Sequence, residues 1–355
     1  MDEYRQGIDQ WLAGLNDEQK AVLTQAVIDT GLAKPKTNGV SKTEQQIEEE
    51  LWEKGTKKDI FITRPDTDSL IINDAPPYKD VNGLHKIYDL LAYQENTLIK
   101  GPKGDGKTLS YISWGGKDKT PLVMVECSED TKSTTLHGSF FMRGKDTGFV
   151  LGAIPTAIDV ANEYGRCILG FEEINALTPQ IQKQLNAILD FRKSVSIPQI
   201  GKTYSLKKDA KLWVVATMNP SVYSGTYELN EDLKSRVEEI EIDYPLPSQE
   251  REILKANCGT SVPDKMMDEL IRFAGQTRQK ATQYALSSRD LVRLVNIIVK
   301  FEGGTGKWDE ALNVALQLNL CKFEGEDRAV VAKRAGSIWG NVSFRKCWGS
   351  TEVLS

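Results

Sequence analysis

The sequence contains few of the residues that build metal centres, disulfide frameworks or membrane spans. Its 355 residues include two histidines and five cysteines. The cysteines are scattered without a C-x-x-C pair, which is typical of reduced thiols in a cytosol. No hydrophobic run reaches the length of a membrane span, and the acidic start Met1-Asp2-Glu3 does not resemble a signal peptide. We therefore expect a cytoplasmic protein without membrane insertion.

Composition and length indicate a globular protein with more than one domain. The chain is 40% hydrophobic and 27% charged, and 355 residues exceed the usual size of a single domain. The formal net charge of −5 gives no overall attraction to nucleic acid or to an acidic membrane. Binding to either would require a local basic patch.

Residues 101–108 match the pattern G-x-x-x-x-G-K-[ST] of a phosphate-binding loop. A short apolar strand is predicted before the loop and a helix is predicted from Lys107 onward. Glycines allow the backbone N–H groups to surround a polyphosphate, and the dipole of the following helix favours its negative charge. Lys107 is expected to reach the β- and γ-phosphates and Thr108 to ligate Mg²⁺. The predicted nucleotide-binding residues are Gly101, Pro102, Lys103, Gly104, Asp105, Gly106, Lys107 and Thr108.

Strands alternate with helices on both sides of this loop, and the alternation predicts a three-layer α/β domain with a parallel sheet. A helix is predicted from Pro179, after Thr178 as N-cap, to about Arg192. From residue 246 nearly every segment has helical periodicity, and the tail from 326 has little. We expect a helical N-terminal extension (1–75), an α/β nucleotide-binding core (76–245), a helical lid (246–325) and a C-terminal tail (326–355).

Two carboxylates, Glu172 and Glu173, follow the apolar strand predicted at 166–171. Ligands in open α/β sheets bind beyond the carboxyl ends of the strands. There the first acid can hold Mg²⁺ and the second can polarise an attacking water; the alternative is that both acids cap the next helix. Asn219 follows another buried strand and Arg236 ends a short helix. Asn219 and Arg236 are each weak indications of a nucleotide site alone. They are a stronger indication when they follow Lys107 and the paired acids in this order along the chain.

Together these motifs resemble an AAA+ ATPase, and within that class the MoxR group, which is related to chelatase ATPase subunits. The resemblance covers residues from about 80 to 320. Residues 136–152 are similar to the insertion of that group, and residues 195–211 to its pre-sensor hairpin. The matching motifs are Walker A (101–108), Walker B (168–173), sensor 1 (216–220), the arginine-finger segment (229–237) and sensor 2 (286–290).

The resemblance implies an ATPase that uses ATP and Mg²⁺ in a homo-oligomeric ring, with six subunits expected. It implies that Glu173 polarises water, that Asn219 places it, and that Arg289 contacts the γ-phosphate from the lid of the same chain. Arg236 would enter the site of the neighbouring subunit. The Walker B motif of the family usually ends in Asp-Glu, whereas Glu172 here is one methylene longer at the Mg²⁺ position. A slowly hydrolysing scaffold therefore stays open beside an active motor.

The substrate of the motor is less specified. Four apolar residues in the insertion would either grip a polypeptide client at a central pore or pack against the core: Phe140, Phe141, Met142 and Phe149. The MoxR resemblance implies remodelling or assembly of a client protein complex, with a von Willebrand factor A-type partner. One alternative is a nucleic-acid motor that uses Lys202, Lys207, Lys208 and Lys211 of the hairpin. Another is a chelatase motor subunit, which rests on analogy alone.

Overall fold

The computed structural model describes residues 60–73, 77–143, 146–219, 226–258, 262–279, 285–320 and 325–339. The chain divides into two compact units, Met1–Phe61 and Ile62–Ser355, and the second unit holds nearly all of the described residues. The predicted helices of the N-terminal extension, and Pro220 of the sensor 1 segment, lie outside them. Within the described ranges, no helix has the length and apolar character needed to cross a membrane.

Strands and helices alternate through the first two thirds of the described chain, and helices alone follow. The strands are β1 (Phe61–Thr63), β2 (Thr97–Lys100), β3 (Leu122–Glu126), β4 (Gly138–Arg143), β5 (Asp146–Leu151), β6 (Arg166–Glu172), β7 (Ser194–Ile197), β8 (Lys202–Ser205), β9 (Lys211–Met218) and β10 (Glu238–Glu241). The helices are α1 (Leu84–Leu91), α2 (Lys107–Lys117), α3 (Ser133–His137), α4 (Ala153–Tyr164), α5 (Pro179–Gln184), α6 (Asn186–Leu189), α7 (Glu231–Lys234), α8 (Pro247–Cys258), α9 (Asp264–Arg278), α10 (Ser288–Glu302), α11 (Trp308–Leu320) and α12 (Gly325–Trp339).

The central sheet has the strand order β10-β2-β9-β6-β3. Every neighbouring pair in it is parallel. The predicted α/β fold with a parallel sheet and a following helical region is therefore confirmed. Because the pairing is parallel, these strands all run in the same direction. The segments that follow β2, β6 and β9 therefore all begin at the carboxyl end of the sheet, and the segments that precede these strands lie at its amino end.

Successive residues of the central strands face opposite layers, as the two-residue period of a strand requires. Leu98 and Val214 pack in one apolar cluster with α4 and α6. Ile99 and Val215 pack in the other cluster, with α1 and α2. Helices therefore cover both faces of the sheet, and the strands are apolar on both sides because both faces are buried.

Helices α8 to α12 enclose an apolar core of their own, with Leu254, Met267, Phe273, Leu294 and Val331 among its members. The last helix lies in the C-terminal tail, for which the sequence analysis predicts no secondary structure. The tail from residue 326 lacked clear periodicity, yet α12 runs from Gly325 to Trp339 and buries Val331 in this core.

The helix predicted from Pro179 to about Arg192 is shorter and divided. α5 ends at Gln184, α6 ends at Leu189, and a turn follows in which the main-chain N–H of Lys193 donates to the main-chain carbonyl of Asp190 (3.1 Å). Lys193 has a φ of 42°, in the left-handed region, and no helix continues through such a residue. The turn redirects the chain into β7, and this tertiary requirement prevails over helix propensity.

Candidate active site

The phosphate-binding loop lies between β2 and α2, with the strand before it and the helix after it that the motif predicts. Gly104 and Gly106 have φ values of 80° and 94°, a region that residues with side chains rarely adopt. A Cβ atom at Gly101 would lie 2.7 Å from the side chain of Ile242. Glycine is therefore needed at all three positions for the loop to curve this tightly.

Lys107 points back into its own loop. Its ammonium donates to the carbonyl oxygens of Gly101 (2.8 Å) and Pro102 (2.5 Å) and lies 3.2 Å from Oδ1 of Asp105. Burial lowers the pKa of Lys107 and raises the pKa of Asp105, and the attraction between the two charges opposes both shifts. The loop thus holds its own cation among three of its own oxygen atoms.

Three hydroxyl groups converge on the carboxylate of Glu172. Thr108 donates to Oε2 (2.5 Å), Thr217 donates to the same oxygen (2.8 Å), and the phenol of Tyr111 donates to Oε1. Burial raises the pKa of Tyr111, and the negative charge of Glu172 adds to this shift. The longer side chain of Glu172 therefore reaches Thr108 directly, although Asp is usual at this position in the resembled family.

The pair of Thr108 and Glu172 fits a divalent cation. Both present oxygen ligands, which Mg²⁺ prefers, and their oxygen atoms lie 2.5 Å apart. Mg²⁺ commonly takes few protein ligands and completes its shell with water and phosphate oxygens. One hydroxyl and one carboxylate are sufficient for such a site.

The second acid, Glu173, has a strained backbone. Its φ of 55° and ψ of 50° are left-handed, which costs about 1–2 kcal/mol for a residue with a side chain. Its N–H donates to the hydroxyl of Thr217 (3.1 Å), and its carboxylate accepts from the amide of Asn219 (2.9 Å). The main-chain carbonyl of Asn219 in turn accepts from the side-chain amide of Asn175 (3.2 Å). These bonds hold Glu173 beside Asn219 at the carboxyl edge of the sheet.

Arg289 reaches the same site from the helical region. Ser287 caps α10 with its side chain, and the N–H of Arg289 donates to the carbonyl of Gly104 (3.2 Å). A Cβ atom at Gly104 would lie 2.4 Å from the hydroxyl of Ser287. The start of α10 therefore rests on the phosphate-binding loop, with the exposed Arg289 beside it.

A buried ion pair supports this end of α10. Arg278 donates through two nitrogens to Glu250 (3.1 and 2.7 Å), and Ser288 donates to the same carboxylate (2.8 Å). The guanidinium of Arg278 also lies 4.2 Å from the ring centre of Tyr244. The first residue of α10 is thereby joined to α8 and α9.

Arg236 is the predicted site residue that lies away from the others. Residue 238 pairs with residue 97 in the parallel β10–β2 ladder, so Arg236 stands beside the residues that precede β2. The phosphate-binding loop follows β2 at its other end, beyond a strand of four residues that spans about 13 Å. The guanidinium of Arg236 donates to the carbonyl of Asp232 in its own turn.

The four candidate client residues occupy the β4–β5 hairpin and differ in exposure. Met142 is 79% exposed and Phe140 47%, whereas Phe149 is 2% exposed. The ring of Phe141 covers Gly148, where a Cβ atom would lie 2.3 Å from it. Phe149 packs in the protein interior, so client contact is corrected to core packing for this residue. Phe140 and Met142 stay available at the hairpin surface.

Sequence reasoning missed several residues of the site. Tyr111 lies one helical turn after Thr108, and Thr217 lies two residues before Asn219 on the same side of its strand. Both spacings could have identified them. Tyr78 gave no such signal: its ring lies against the phosphate-binding loop, 3.4 Å from where a Cβ atom of Gly106 would be.

Comparison with known families supports the class that this geometry indicates. Residues 96–237 match the family model described as an AAA domain of the dynein-related subfamily. The match includes the loop, both acids, Asn219 and Arg236, and it supports an AAA+ ATPase with nucleotide binding. Proteins of this class commonly form oligomeric rings.

Similar individual proteins come from Staphylococcus aureus. Uncharacterized proteins of the strains NCTC 8325 / PS 47 and COL are each 29% identical over 242 residues, which is 65% of this chain and 84% of each relative. An uncharacterized protein of the bovine strain RF122 / ET3-1 is 28% identical over the same length. The similarity therefore extends over most of each relative.

Proposed function

We propose that this chain is an ATP-hydrolysing ring motor of the MoxR type, in which each active site is shared between two subunits, and that it remodels, activates or assembles a client protein complex. The proposal rests on five residues that come together at the carboxyl end of the central sheet: Lys107, Thr108, Glu172, Glu173 and Asn219. Arg289 joins them from the lid of the same chain.

Each residue has a definite role in this proposal. Lys107 turns from its own loop to the phosphates of ATP, and Thr108 and Glu172 hold Mg²⁺, which neutralises phosphate charge. Glu173 accepts a hydrogen bond from the attacking water and polarises it, while Asn219 keeps the Glu173 carboxylate in place. A base of this kind typically contributes 10²–10⁴-fold in rate. Arg289 contacts the γ-phosphate.

The position of Arg236 supports a shared site. Arg236 lies at the end of the sheet opposite its own phosphate-binding loop, so it is too far away to act on its own site and, in this proposal, serves the site of another copy. Supplied in this way, an arginine finger contributes about 10³–10⁵-fold to phosphoryl transfer. Hydrolysis then depends on assembly.

The test is steady-state ATPase activity against protein concentration, with size measurements in ATP and in ADP. We expect activity that rises cooperatively with concentration, and a ring that forms with ATP. Glu173→Gln should bind ATP and assemble but lose hydrolysis. Glu129→Gln removes an exposed acid of the same type and should keep wild-type activity. Activity per molecule that is independent of concentration would contradict the shared site, and ATP binding with negligible turnover would favour the scaffold.

The exposed part of the β4–β5 hairpin supports client contact. Phe140 and Met142 share one face of the hairpin, because they lie two residues apart on β4. We expect alanine at Phe140 and Met142 to abolish remodelling of a client, with a von Willebrand factor A-type partner as a candidate component, while ATP hydrolysis and fold persist. Simple unfolding would instead indicate core packing.

A nucleic-acid motor is a second candidate, because the predicted basic residues are all exposed. Lys202 lies on β8, Lys207 and Lys208 follow it, and Lys211 begins β9. Binding of single strands that weakens with salt and stimulates hydrolysis would favour this function. Replacement of Lys207 and Lys208 by glutamine should then remove the stimulation.

A further inference from the structure

The phosphate-binding loop contains its own anion, Asp105. The Asp105 side chain is 1% exposed and that of Lys107 is 8% exposed, so their ion pair is almost completely removed from water. The other partners of Lys107 are the carbonyl oxygens of Gly101 and Pro102. Among the described residues, the hydrogen bonds of the lysine therefore all come from the loop itself, while the charges of Glu172 and Glu173 attract it from outside the loop.

Oδ2 of Asp105 is buried and makes no hydrogen bond within the described residues. It lies against the start of the loop, 2.6 Å from where a Cβ atom of Gly101 would be. A buried carboxylate with one unpaired oxygen depends strongly on the cation bound to its other oxygen.

We propose that Asp105 competes with the nucleotide for Lys107 and thereby sets the affinity of the site and its dependence on Mg²⁺. This inference rests on the proposed function. When Lys107 turns to the phosphates, the Asp105 carboxylate loses its cation and stays buried close to several further negative charges. The Asp105 carboxylate and the phosphates are both negative and repel each other, so an anionic ligand binds weakly unless another cation accompanies it. Thr108 and Glu172 would hold Mg²⁺, which would supply that positive charge.

The experiment measures the dissociation constants of ADP and of ATPγS by calorimetry, with Mg²⁺ and with EDTA. Asp105→Asn keeps the size of the side chain and removes its charge. We expect Asp105→Asn to bind both nucleotides about tenfold tighter than the wild type in EDTA, with a smaller gain in Mg²⁺. Asp118→Asn removes the same charge at the far end of α2 and should bind as the wild type does.

A second pair of variants isolates the contact with Lys107. Asp105→Ser also removes the carboxylate and should produce the same gain. In a Lys107→Met background, only the repulsion between the Asp105 carboxylate and the phosphates remains, so Asp105→Asn should give a clearly smaller gain in ADP affinity than it gives when Lys107 is present. A gain of equal or greater size in this background would overturn the proposal.

The remaining outcomes are also decisive. Variants that fold and bind nucleotide no tighter than the wild type would overturn the proposal. So would loss of folding in both Asp105 variants, because the carboxylate would then be a brace for the loop. If the wild type binds and hydrolyses ATP while Asp105→Asn has the same dissociation constants as the wild type, the inference alone fails. If the wild type binds no nucleotide, the proposed function fails as well.

Discussion

The side-chain amide of Asn96 donates a 2.8 Å hydrogen bond to the main-chain carbonyl of Arg236. The same nitrogen donates to the carbonyl of Leu189 (2.8 Å), and the amide oxygen accepts from the ammonium of Lys193. Asn96 is 7% exposed. One buried amide therefore joins β2, the turn after α6 and the residue proposed to act on a neighbouring subunit.

Asn96→Ala should reduce hydrolysis through displacement of Arg236. Two carbonyl acceptors and one ammonium lose a partner, which costs about 1–3 kcal/mol of stability for each buried group. We expect kcat to fall at least tenfold while ATP affinity, measured with Glu173→Gln also present, stays unchanged. Asn162→Ala is the control, because Asn162 also bridges main-chain groups, at Ser205 and Lys207. Equal losses of kcat in both variants would indicate general destabilisation.

Arg236→Ala and Glu173→Gln should each be inactive alone and partly active when mixed. In a mixed ring, some interfaces contain an intact Arg236 from one subunit and an intact Glu173 from the next. We expect each homogeneous ring to lose about 10³-fold in rate, and the mixture to regain a measurable fraction. Arg272→Ala, at an exposed position on α9, should retain full activity. No recovery on mixing would place both residues in one subunit's site.

Lys193 should make the protein more stable as pH rises from about 8 to about 10.5. Burial lowers the pKa of Lys193 from 10.5 to about 8, and nearby Glu95 opposes this shift. Within this window the unfolded chain binds more protons than the folded one, so the free energy of unfolding increases with pH. The contribution is up to about 3 kcal/mol, and Lys193→Met should remove that slope in urea unfolding. Lys202→Met, on β8, should preserve it.

Arg278→Met should destabilise the helical region strongly. It leaves the carboxylate of Glu250, which is 1% exposed, without its cation. Removal of one partner from a buried pair costs about 3–5 kcal/mol, whereas an exposed pair contributes about 0–1 kcal/mol. Arg251→Met breaks contacts with the exposed Asp264 and Asp268 and should change the melting temperature little. Similar shifts for the two variants would contradict the importance of the buried pair.

Phe149→Ala and Met142→Ala should separate core packing from surface exposure in the hairpin. Loss of the buried ring should cost about 3–5 kcal/mol, whereas the change at the exposed methionine should stay within about 0.5 kcal/mol. Thermal unfolding measures both. A small effect at Phe149 would return it to the residues that are candidates for client contact.

The sequence was sufficient to predict those parts of the site that are formed by residues close together in the chain. The spacing of Gly101, Lys107 and Thr108 requires a strand, a tight loop and a helix, and the paired acids Glu172 and Glu173 end an apolar strand. It was insufficient for contacts between distant segments. Asn96 and Arg236 are 140 residues apart, and no local pattern joins them. Nor does the loop motif reveal that Lys107 turns toward Asp105, because a motif gives the order of residues and not their side-chain conformations.

The close contact between Gly104 and Ser287 joins the beginning of α10 directly to the phosphate-binding loop. No side chain separates the two, so a shift of the loop backbone at Gly104 moves the beginning of the helix directly. α10 has 15 residues and is about 22 Å long, so a tilt of about 10° at Ser288 displaces Glu302 by about 4 Å. Its far end belongs to the core shared by α8, α9, α11 and α12. A small movement of the phosphate-binding loop would therefore be enlarged along α10 and would rotate the helical region to which its far end belongs.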